Sequence, residues 1–130
     1  MEVIPPSGST KGPDSMFTGD VFFDVIIGGD QLPRARVNVV HFTPGARTAW
    51  HKHIVGQALH VMEGTGLIQA RGGEVKVMRP GDTVFTPAGE WHWHGATSKN
   101  FMTHLAIWEV PESGPDSEWG DHVTDEEYNQ

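Results

Sequence analysis

Five side chains stand at spacings that suit chemistry: His51, His53 and Gln57 in one stretch, His92 and His94 in another. Alternate residues of an extended strand share a face, so His51 and His53 can aim both imidazoles at one point while Lys52 turns away. Imidazoles that converge on one interior point bind a divalent transition metal. Taken alone, a single His-x-His strand reads better as a surface strand with two solvated rings. The second such strand, just after the turn Pro87-Ala88-Gly89, reverses that reading. Two of them, each introduced by a Pro or Gly turn, suit a small β-barrel that gathers ligands from non-adjacent strands.

The elements that must position these rings are short strands. Segments 21–27 and 35–42 are rich in Phe and β-branched residues and end at Gly28-Gly29-Asp30 and Pro44-Gly45. Further strands are predicted at 58–62, 67–70, 74–78, 83–86, 91–94 and 100–109, separated by Gly64-Thr65-Gly66, Gly72-Gly73 and Arg79-Pro80-Gly81-Asp82. Turn-punctuated strands of this kind predict an all-β barrel or sandwich rather than βαβ units. Residues 1–15 read as an irregular N-terminal arm, 16–110 as the barrel and 111–130 as an acidic C-terminal tail, expected to be solvated. Within the tail, Thr124-Asp125-Glu126-Glu127 fits a capping box and predicts one short helical turn.

Composition narrows the function. The 130 residues suffice for one domain. With no cysteine, disulfides and thiolate metal sites are excluded. The net charge of −8 is concentrated in the tail: the last 22 residues hold eight acids and no Lys or Arg, whereas the rest carry nine acids and nine bases. No basic stripe offers itself to nucleic acid or to an anionic membrane. No signal-like amino terminus and no apolar run near the roughly 20 residues of a membrane span is present, so a cytoplasmic protein is expected.

Strand parity sorts the remaining side chains. With His92 inward, His94 is inward and Trp91 and Trp93 are outward. Met102, His104, Ala106 and Trp108 share the inner face of the last long strand, and Val40 and Phe42 share that of 35–42. Val40, Phe42, Met102 and Trp108 are therefore the expected pocket walls. His41, His60 and His122 are given no functional role, and Arg47 is expected at the surface. Outward Phe101, Leu105 and Ile107 predict a homo-oligomer, a dimer or tetramer.

The two stretches resemble the two cupin motifs. The first, G-x5-H-x-H-x3-4-E-x6-G, is matched by Gly45, His51, His53, Gln57 and Gly64, and the second, G-x5-P-x-G-x2-H-x3-N, by Gly81, Pro87, Gly89 and His92. Gln57 stands where the family usually has Glu, and Ala96 where it usually has Asn. The resemblance implies a double-stranded β-helix (jelly-roll) barrel with His51, His53, Gln57 and His92 as metal ligands. More closely, GARTAWHKHIVGQ, the HWHGA run, THLAI and HVTDEEY resemble the small bacterial cupin hydroxynitrile lyases. That likeness implies one manganese or iron centre per chain and a nearby histidine that removes the cyanohydrin proton as cyanide leaves.

From the ligand types alone, three neutral imidazoles and an amide leave a divalent ion its full charge and make it a strong Lewis acid. The donor set alone is compatible with Mn, Fe, Co, Ni and Zn; it is the resemblance to the hydroxynitrile lyases that implies Mn(II) first and Fe(II) next. His94 and His104 are then the acid/base candidates, and the apolar wall suits a small neutral substrate rather than a dicarboxylate. Two other readings compete: an Fe- or Mn-dependent dioxygenase, and a non-enzymatic cupin that binds a small molecule.

Overall fold

The computed structural model describes all 130 residues. Two short strands, β1 (Thr10–Lys11) and β2 (Phe17–Thr18), precede the long β3 (Val21–Ile27) and β4 (Ala35–Phe42). Next come β5 (Arg47–Thr48), β6 (His51–His53), β7 (Gln57–Gly64), β8 (Gly66–Ala70) and β9 (Lys76–Met78). The chain closes with β10 (Thr83–Thr86), β11 (His92–Ala96), β12 (Met102–Glu109), β13 (Ser117–Trp119) and a single helical turn, α1 (Asp125–Tyr128).

One sheet runs β1-β3-β4-β12-β7-β10. The other is centred on β11, which pairs β8 on one side and the successive segments β5 and β6 on the other, with β9, β2 and β13 outside them. All pairings are antiparallel. The all-β jelly-roll expected from the sequence is the observed architecture.

Alternation explains why the sheets curl around one core. In β12, Met102, His104 and Ala106 are buried while Ile107 is exposed, and β7 alternates in step with Gln57, Leu59 and Val61 inward. The apolar inward residues Val21, Phe42, Leu59, Val61, Met78 and Met102 form the main cluster. Burying each contributes about 1.5–3 kcal/mol. Gly64, at φ +77°, turns β7 into β8 where a Cβ would run into the Phe101 carbonyl, so glycine is required there.

The C-terminal tail corrects the sequence reading. It is not a solvated segment. β13 pairs with β6, Trp50 N–H donates to the Asp121 carbonyl, and Val123 and Tyr128 are buried. Together with Trp50 and Trp93 they make a second apolar cluster outside the barrel. Outward-pointing Trp93 is therefore fully covered, its indole N–H donating to Gln69 Oε1 at 2.9 Å. Arg47 is likewise not a surface residue. It is buried, donates to the Val123 carbonyl at 2.7 Å and Asp125 at 2.8 Å, and lies over the Tyr128 ring at 4.6 Å. The predicted capping box is present: Thr124 Oγ1 accepts from Glu127 N–H, and the Glu127 carboxylate accepts from Thr124 N–H.

Candidate metal centre and active site

β6 and β11 bring the histidines together by register. His92 lies directly opposite His51 in the antiparallel pair, and their ring centroids are 4.3 Å apart. His53, two residues along β6, completes a group whose ligand atoms all lie within 4.8 Å of one another. His51 Nδ1–H donates to the Ala49 carbonyl at 2.9 Å, and His92 Nδ1–H to that of Glu90 at 2.9 Å. Each bond selects the tautomer that leaves Nε2 as a free electron pair, the usual arrangement around a metal-binding imidazole. His92 Nε2, both His53 ring nitrogens and Gln57 Oε1 are buried without a hydrogen-bond partner. Orphaned buried polar atoms are costly, and a divalent cation satisfies this set. His51, His53, His92 and Gln57 thus fit the metal.

Burial, joined at His51 and His53 by the neighbouring rings, keeps these imidazoles neutral. His51 is held well below the usual histidine range by burial and by His92. His53 is pushed down to about 4 by burial and by His92, with Asp116 opposing. Burial also lowers His92. Neutral rings are the form that coordinates metal at neutral pH.

Beyond this group, His94 and His104 are both buried and joined by a hydrogen bond, His94 Nδ1 to His104 Nε2 at 3.1 Å. Phe42 packs against both rings. Burial and the facing His104 hold His94 well below the normal range, and burial takes His104 down to about 4. All five imidazoles except that of His92 line one cavity of about 420 Å³, together with Val40, Phe42, Asn38 and Trp108. Met102 departs from the expected pocket wall. It is sealed in the main core, against Gly66, and is not a cavity residue.

The cupin domain model matches residues 38–108, more than half of the chain. The chain is a cupin. Over 98% of its length and 96% of the relative's, it is 46% identical to an (R)-mandelonitrile lyase from Granulicella tundricola. A cupin-like protein from Thermotoga maritima has the same fold at a TM-score of 0.88, with 35% identity over 99% of this chain and 96% of that one. A gentisate 1,2-dioxygenase from Ralstonia shares 31% identity over 52% of this chain, which spans 19% of that enzyme.

In this cupin the remaining histidines, His41, His60 and His122, lie outside the cavity. His41 bonds Asp24 at 3.0 Å and Thr103 at 3.2 Å on the outer face, and His60 bonds Thr83 at 2.8 Å. Several cavity residues escaped the sequence reading: Phe17 and Phe23 near the amino end, and Asp116, Ser117 and Trp119 in the tail. Trp119 stacks on His51 at 4.3 Å with 15° between the rings. The signal for it was a short alternation, Ser117 and Trp119 on one face and Glu118 on the other. Glu118 pairs with Lys52 at 3.1 Å.

Proposed function

We propose that this cupin is a metal-dependent hydroxynitrile lyase, which cleaves or forms a cyanohydrin. The observation that carries the reading is the buried His94–His104 pair beside the three-histidine group in a largely apolar cavity. The near full-length similarity to (R)-mandelonitrile lyase supports it. His51, His53, His92 and Gln57 hold one divalent ion, Mn(II) first and Fe(II) next. When bound, such an ion supplies Lewis acidity toward the substrate hydroxyl.

His94 is the general base. Its Nε2 has no partner, and with Nδ1–H donated to His104 Nε2 that nitrogen is a bare acceptor. It takes the hydroxyl proton; the O–H electrons become the carbonyl π bond, and the carbon–carbon bond breaks with cyanide leaving on its electron pair. A buried imidazolium is a strong acid, so His94 returns the proton to cyanide, giving aldehyde and HCN. His104 holds the ring of His94 in the tautomer that can act. Val40, Phe42 and Trp108 wall the reaction from water. The same steps reversed form the bond.

The partner is a small neutral molecule. The homo-oligomer expected from the sequence forms, on this reading, through the outer face of the six-stranded sheet. There Phe85, Ala58, Ile107, Val37 and Ile27 sit side by side on five adjacent strands.

The decisive experiment is metal analysis of the purified protein with a strictly anaerobic mandelonitrile assay on the same sample. About one Mn or Fe per chain with oxygen-independent benzaldehyde release is the expected result. Loaded protein that releases none overturns the lyase reading, and turnover only with oxygen favours the dioxygenase alternative.

A further inference from the structure

Histidines aside, the cavity carries one ionisable side chain, Asp116, and no lysine or arginine. Asp116 belongs to the segment that leads into β13, and its backbone carbonyl takes Ile54 N–H at 2.9 Å. Both carboxylate oxygens are engaged: Oδ2 accepts the Trp108 indole N–H at 2.8 Å and Oδ1 accepts the Ser117 hydroxyl at 3.0 Å. A carboxylate held at both oxygens cannot swing aside for a ligand. Trp108 in turn faces His53, with ring centroids 6.1 Å apart.

Resting on the lyase reading, we propose that Asp116 is a specificity-determining residue of this cupin. It fixes the Trp108 indole as one wall of the cavity and turns away substrates with a negative charge remote from the hydroxyl. The site therefore selects neutral aryl or alkyl hydroxynitriles and their aldehydes. Two effects act together. The indole N–H, which would be costly to bury unpaired, is tied down by a charged acceptor. The divalent ion favours an oxygen bound directly to it, but an anionic substituent held away from the ion meets the Asp116 charge with little water to screen it.

The test is titration of metal-loaded protein with benzaldehyde and with 4-formylbenzoate, followed by tryptophan fluorescence and calorimetry. Wild type is expected to bind benzaldehyde roughly tenfold tighter than 4-formylbenzoate. Asp116→Asn keeps an oxygen for the indole but removes the charge. It should narrow the ratio to about threefold or less, chiefly by tighter binding of 4-formylbenzoate. Asp116→Ala removes the acceptor as well, and should weaken benzaldehyde and shift the Trp108 emission. An unchanged ratio in Asp116→Asn overturns the proposal. Benzaldehyde binding without any mandelonitrile cleavage sinks the lyase reading alone, and no binding of either aldehyde sinks both.

Discussion

The barrel strands and the C-terminal tail build the same site by different means. β6 and β11 present His51, His53 and His92 because strand alternation and antiparallel register leave those rings nowhere else to point. The tail has no regular pattern of comparable length, yet it delivers Trp119 against His51 and Asp116 against Trp108. It is held by contacts distributed over the barrel's outside: Arg47 to Val123 and Asp125, Tyr128 O–H to the Ala96 carbonyl at 2.6 Å, and Trp50 to Glu127 at 3.2 Å. The metal-binding group sits on the strands; the cavity wall beside it is finished by the tail.

That division can be broken from either side. The largest effect is expected on the strands. His51→Ala or His92→Ala should abolish metal binding and with it activity. His104→Ala should retain the metal and lose roughly 10²–10⁴-fold in turnover. Metal content and kcat measured on the same preparations check this, and equal metal loss in all three variants would erase the distinction between the metal ligands and the His94–His104 pair. In the tail, Tyr128→Ala should cost about 3 kcal/mol by emptying the space over Trp93. Metal stoichiometry should be kept; urea unfolding and metal analysis read both quantities, and metal loss there would merge the two regions.

A smaller effect follows from the buried rings. In metal-depleted protein, His53 and His104 titrate near 4 when folded, whereas an unfolded histidine titrates near 6.5. Between these values the unfolded chain binds protons that the folded chain refuses. Stability is therefore complete above about pH 6.5 and is lost as pH falls toward about 4, by up to ~1.4 kcal/mol per pH unit for each ring. Urea midpoints across that range test the sign, and a flat profile would contradict it. The smallest effect on the fold is expected from Ile107→Lys on the exposed outer face. It should leave unfolding within ~0.5 kcal/mol of wild type while light scattering shows dissociation; an unchanged mass would remove the sheet-to-sheet assembly.

Much of the architecture was legible from local pattern. The predicted strands 21–27, 35–42 and 83–86 coincide with β3, β4 and β10, because Gly and Pro punctuate them on both sides. The inward histidines followed from a period of two. β5, with only Arg47 and Thr48, shows no period, and the alternation of β13 spans only three residues; both were missed. Their extended conformation is imposed by neighbours, β11 and β6 respectively. Met102 shares the inner face with His104 but lies one step toward the closed end of the barrel, where the core fills completely. Parity assigns a face and says nothing about depth.

The sequence by itself determined the all-β class, the strand faces on which the histidines converge, and the side-chain types gathered there. Those properties are local: they depend on alternation and on turn residues within a few positions. Tertiary structure alone decided that His94 and His104 meet at 3.1 Å, that Arg47 is buried under Val123 and Tyr128, and that an acidic tail closes the cavity with Asp116 and Trp119. Each of those contacts joins positions far enough apart in the chain that no periodicity links them. Only the curvature of two packed sheets brings them within reach.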